Sequence, residues 1–247
     1  MALTQLDNNN KNVRFFNFPI QLLEDFLDDP VDKLEKIAMY SIYTYSKDLG
    51  HREGLEGFKL GCQYFDVTYN DYEKAYTFGM NLYDLYNLDH NSYRKSYKEK
   101  GNPMVGINKD TWWQFKEDRK TDFEKVTLLA YLGIKSILQD KAYCKISNNF
   151  WLSRMFGSAK VLPDYLLKLG ELGKYNNHYQ FRKLKSELER SWGFVTFTGR
   201  GTNWSDTMSI DDLTFQILKR RKGQKDYDIK QKKKEAIEKA LIKLNGL

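Results

Sequence analysis

A chain of 247 residues is long enough for two small domains or one large one, and its 17 Tyr, 15 Phe and 5 Trp supply core material beside 30% charged residues. Its two distant cysteines, Cys62 and Cys144, argue against a disulfide framework; both are expected to be buried small hydrophobes in a protein of the reducing cytoplasm. No apolar h-region opens the chain and no run of about 18 apolar residues follows, so neither secretion nor membrane spanning is supported.

The net charge of +7 is concentrated in one region. Residues 1–120 carry 16 basic and 19 acidic side chains, whereas residues 141–225 carry 16 and 7. A polyanion-binding surface requires such a concentration, because phosphate neutralisation supplies most non-specific nucleic-acid affinity. The alternative is a solvated basic face without a partner.

In chain order, residues 1–14 are expected to be disordered. FNFPIQLLEDFLDDPVDKLEKIAMY (Phe16 to Tyr40) then aligns without gaps on VGINKDTWWQFKEDRKTDFEKVTLL (Val105 to Leu129) at a constant offset of 89. Phe18 meets Ile107, Leu23 meets Trp112, and Leu34 meets Phe123. The match implies two copies of one unit. Each copy opens with a short extended segment, followed by a polar stretch and a helix. Pro30 and Asp32 mark the start of the first helix, and Thr121-Asp122-Phe123-Glu124 forms a capping-box pattern before the second. Further helices are predicted near Glu53–Phe65 and Asn70–Leu85. The polar loop Asn87 to Pro103, with Arg94, Lys95, Lys98 and Lys100, reads as a wing or as a linker, and its Gly and Pro place a domain boundary there.

Beyond it, Lys145 to Gly157 reads as a short helix capped by Ser147 or Asn148, and Pro163 to Leu172 as another. In the next helix Phe181, Leu184, Leu188 and Trp192 line one buried stripe, with Arg182, Lys183, Lys185 and Arg190 away from it. Asn176, Asn177, His178 and Gln180 crowd its N-terminal turn, where base edges are usually read; Lys and Arg suit phosphates. FVTFT alternates as a strand should, TGRGTN turns, and WSDTMSI returns with Trp204, Asp206, Met208 and Ile210 on one side. Arg200 at the turn and Asn203 beside it are further DNA-contact candidates. The order helix, helix, cationic helix, hairpin is that of a winged helix. From Ser209 the chain reads as helical, with Lys219, Arg220 and Arg221 available for phosphate attraction.

The Phe-x-Phe-Pro opening, the aliphatic helix after it and a second related unit ending in a basic helix and wing resemble the tandem winged-helix replication initiators of plasmids and phages. KSILQDKAYCKISNNFWLSRMFG and YQFRKLKSELERSWGF are also similar to uncharacterised mobile-element proteins of Bacteroidetes. The resemblance implies origin or operator binding, with the second unit as the main reader. The first unit is acidic where a reader would be basic, so a contact with a second copy or a replication partner is expected there.

The expected architecture is therefore mainly α with small β-hairpins: a first winged-helix-like domain at 15–103, a second, DNA-reading one at 104–218, and a basic helical tail at 219–247. Catalysis has little support. The three histidines form no nicking motif, no Cys/His metal spacing occurs, and no phosphate-binding Gly-x-x-x-x-Gly-Lys-Ser/Thr loop is present. Asp28-Asp29 and Asp211-Asp212 suit helix starts better than metal ligation. The expected function is non-enzymatic double-stranded DNA binding without a cofactor, in replication initiation or transcriptional control of a mobile element; a protein-interaction scaffold is the alternative.

Overall fold

The computed structural model describes residues 14–48, 54–96, 103–199 and 201–244. Arg200 and all but the last of residues 1–14 lie outside these. The described chain is mainly helical, with two small antiparallel sheets.

Aromatic residues alternate with polar ones in the opening strand β1 (Phe15–Pro19), so Phe16 and Phe18 point into the core while Phe15 and Asn17 face outward. A 3-10 turn, Ile20–Leu23, follows. Helix α1 (Pro30–Asp48) starts where Asp29 accepts a hydrogen bond from the Asp32 N–H at 3.0 Å and Pro30 takes the first helical position. It packs against α2 (Leu55–Phe65) and α3 (Tyr72–Ser96).

The second unit repeats this order with β2 (Met104–Asn108), α4 (Lys109–Glu117) and α5 (Asp122–Leu138). The capping box at the start of α5 is formed: Thr121 Oγ1 accepts from the Glu124 N–H at 3.3 Å, and the Glu124 carboxylate accepts from the Thr121 N–H at 2.8 Å. Then come β3 (Cys144–Ile146), α6 (Asn148–Met155), the single turn α7 (Gly170–Gly173), α8 (His178–Ser191), β4 (Val195–Gly199), β5 (Gly201–Ser205) and α9 (Ile210–Leu244).

The repeat is visible in the first sheet. β1 and β2 pair antiparallel with Asn17 opposite Gly106, Phe16 opposite Ile107 and Phe18 opposite Val105. Asn17 and Gly106 are equivalent at the offset of 89, so the two units meet about a pseudo-two-fold axis through that pair. Each strand supplies two apolar side chains to the layer beneath, where Trp112, fully buried, lies 5.0 Å from the Phe16 ring and donates its indole N–H to the Leu34 carbonyl at 2.8 Å. The buried residues of both units form one continuous cluster. Among the described residues this cluster includes side chains from both sides of residue 103, where the boundary is expected.

Gly157 joins the units from the other side. Its φ of +75° is left-handed, and a Cβ there would lie 2.8 Å from the Glu24 backbone nitrogen, next to the 3-10 turn of the first unit. Gly157→Ala is expected to destabilise the protein by about 1–3 kcal/mol, read as a lowered thermal midpoint with unchanged helical circular dichroism below it.

Several expectations are corrected. Helix α3 continues to Ser96 through what read as loop, because Asn87 to Ser96 is polar but contains no Gly or Pro to stop it. Pro163 to Leu172 is not one helix: a 3-10 turn at Leu166–Lys168 is separated from α7 by the extended residue Leu169, and α7 opens on Gly170 at φ +61°. The returning strand ends at Ser205, since Asp206 turns away to pair with Lys135 of α5. Ile210 opens α9, which passes residue 218 without a break. No hairpin follows α3 among the described residues, and β1 pairs with the other unit.

Candidate nucleic-acid interface

The second unit sets a basic helix beside a β-hairpin, and its core determines how. Phe181, Leu184 and Leu188 are buried on one face of α8, with Trp192 half-buried at its end. Trp151 anchors them: its ring lies 5.5 Å from Phe181 and 5.2 Å from Trp204, and its indole N–H donates to the Ala130 carbonyl at 2.9 Å. Trp192 lies 4.5 Å from Tyr131, whose hydroxyl burial, aided by nearby Asp206, pushes its pKa up to about 12. It therefore stays neutral at physiological pH.

β3, β4 and β5 form one antiparallel sheet in the order β3-β5-β4. Lys145, Asn203 and Phe197 lie opposite one another on one of its faces; Thr196, Trp204 and Cys144 share the other. Helix α8 reaches the second face. Lys185 Nζ donates to Thr198 Oγ1 at 2.7 Å, and Thr196 Oγ1 donates to the Glu189 carboxylate one turn later. These two contacts fix the angle between helix and hairpin.

Opposite its buried stripe, α8 lines an open groove of about 640 Å³ with His178, Tyr179, Arg182, Lys183, Ser186 and Arg190, closed on one side by Phe123. Arg182 is exposed and forms no ion pair with a described residue. Lys183 stands 4.1 Å above the Phe123 ring, a cation–π contact that leaves its charge outward. Arg190 is paired with Glu187, a carboxylate in the same groove that offsets part of its charge.

The remaining expected contact residues fall differently. Asn177 caps α8, its Oδ1 accepting from the Gln180 N–H at 3.0 Å and its Nδ2 donating to the Lys174 carbonyl at 3.0 Å. Asn176 donates to the Leu167 carbonyl at 3.2 Å. Gln180 is half-buried, with its Oε1 enclosed. Asn203 is only 7% exposed, beneath the face that α9 approaches, and its Nδ2 donates to the Phe197 carbonyl at 3.4 Å. Asn203 is thus corrected from DNA contact to hairpin strut, since a duplex cannot reach a buried amide. Lys219, Arg220 and Arg221 are exposed on α9. Asn177→Ala is expected to cost about 1 kcal/mol in denaturant unfolding, and Asn177→Asp to restore most of it.

No family model, curated protein or solved structure matches this chain. The site is therefore characterised by its own geometry.

Some residues of this surface, Glu187 among them, are not singled out by the sequence. Tyr179, 73% exposed, and Ser186 belong to the groove, and the spacing of 178, 182, 186 and 190 along a helix is the signal for that face. Lys145 reaches the end of the hairpin from β3, a strand of three residues too short to show periodicity. Elsewhere, Asp29 caps α1 and Ser209 caps α9 through a 3.1 Å bond from the Asp212 N–H, so both acid pairs sit at helix starts. No group of three or more metal-ligating side chains occurs among the described residues. None of the described helices is long and apolar enough to cross a membrane. Cys62 is buried and its thiol pKa is raised to about 12 by that burial; Cys144 is half-buried.

Proposed function

We propose that this protein binds double-stranded DNA without catalytic turnover, through a winged-helix unit in the second half of the chain. In this reading α8 is the recognition helix, β4–β5 the wing, and the order α5, β3, α6, α8, β4, β5, interrupted by the single turn α7 before α8, follows that of a winged helix. The observation that carries it is the division of α8: one face is locked into an aromatic core, and the opposite face presents Arg182, Lys183, His178 and Tyr179 along an open groove. Side chains of this type serve phosphates and base edges, and a helix fits the roughly 12 Å major groove. The likeness of the FNFP opening and the basic segments to plasmid and phage initiators supports replication initiation or transcriptional control of a mobile element as the setting.

The test is selection of bound oligonucleotides from a random duplex pool. Enrichment of a palindrome or a direct repeat is expected. Failure to retain any duplex at low salt overturns the reading.

One feature favours a second reading, a protein-interaction scaffold. Trp113 is 46% exposed over a recess of about 280 Å³ lined by Asp66, Lys109, Asp110 and Gln114, within the part of the chain where acids outnumber bases. A partner retained through high salt and nuclease, and lost with Trp113→Ala, is the result that reading requires.

A further inference from the structure

At the free end of the hairpin two cations converge from elements far apart in sequence. Gly199 and Gly201 are directly paired, so their missing side chains would project from the same face of the sheet. The Arg221 guanidinium occupies the space a Gly199 Cβ would need, and the Lys145 side chain occupies that of Gly201, whose φ is +99°. Arg221 is held there by its helix: Ile217 and Leu213, one and two turns earlier on the same face of α9, are buried, and the guanidinium lies 5.5 Å from the centre of the Phe197 ring. Lys145 follows along the same face from the opposite edge of the sheet, since Lys145, Asn203 and Phe197 are in register.

Neither cation forms an ion pair with a described residue, and both are exposed. Bringing two like charges to one pair of glycines without a carboxylate costs repulsion, which an anion relieves. The missing Cβ atoms at Gly199 and Gly201 are what let the two cationic side chains lie against the hairpin backbone.

We propose that Lys145 and Arg221, seated over Gly199 and Gly201, form a phosphate-binding seat for the DNA backbone. α9 is then part of the DNA-binding unit. The duplex contacts the hairpin on the side opposite α8, and the footprint extends beyond the groove that α8 fills. This inference rests on the DNA-binding reading.

The experiment measures duplex affinity of the full chain by fluorescence anisotropy across a salt series, using the sequence enriched from the random pool. Lys145→Gln combined with Arg221→Gln is expected to make the slope of log affinity against log salt shallower by about 1.8, two phosphates at about 0.9 each. Lys145→Arg combined with Arg221→Lys should keep the parent slope, which a merely structural role would not predict. Lys230→Gln combined with Lys232→Gln removes equal charge from the distal part of α9 and should leave the slope unchanged. An unchanged slope in the first variant overturns the seat while leaving the DNA reading in place, and so does an equal reduction in the distal variant. Absence of duplex binding by the parent chain overturns both.

Discussion

Arg182→Ala combined with Lys183→Ala is expected to lower duplex-DNA affinity about 10- to 100-fold at moderate salt and to make the salt dependence shallower by about two phosphates. The ranking among the cations of α8 follows from what each already touches. Arg190 is occupied by Glu187 and Lys185 by Thr198, so the first brings a partly cancelled charge and the second serves mainly to hold helix against hairpin. Arg182 and Lys183 keep their charges for an incoming phosphate. Because both are exposed, the folded state should tolerate their loss; removing the Lys183 contact with Phe123 costs about 0.5–1 kcal/mol. Anisotropy titrations at several salt concentrations, alongside a thermal melt of the same sample, check the expectation. Parental affinity with an undiminished slope would move the interface away from α8.

Trp112→Ala carries the largest expected effect on stability, a loss of about 3–5 kcal/mol. The indole is fully buried, contacts Phe16 and binds the Leu34 carbonyl, so its removal opens a cavity where the units meet. Since one core runs through both units, unfolding is expected as a single transition whose midpoint moves as a whole. Denaturant titration followed by far-ultraviolet circular dichroism and by tryptophan fluorescence would read this. Two separated transitions, of which only one moves, would mean that the units fold independently.

The elements legible from sequence are those with a local cause. The stripe of Phe181, Leu184 and Leu188 follows helical period, and the caps at Asp29 and Thr121 follow short-range chemistry. What escaped depends on distant partners. Asn177 is the exception: its cap partners Lys174 and Gln180 lie only three residues away, but its side chain has the chemistry of a base contact as well as of a helix cap. Asn203 lies on a hairpin whose covered side is set by α9, and Lys145 gains its place only through pairing with β5. The full length of α3 is hidden in the sequence because Asn87 to Ser96 has the polarity of a loop but no backbone breaker. The duplication was readable from the offset of 89, yet nothing in either copy reveals that their opening strands pair with each other.

That mutual pairing has a practical consequence for anyone dividing the molecule. Cutting the chain between its halves strips each opening strand of its only strand neighbour among the described residues and uncovers Phe16 and Phe18 on one fragment, Val105 and Ile107 on the other. Such a naked edge recruits whatever strand it meets, and the fragment best placed to satisfy it is the severed half itself. Separately expressed halves would behave as adhesive pieces that recombine with each other or aggregate, and they would report poorly on what the intact protein does.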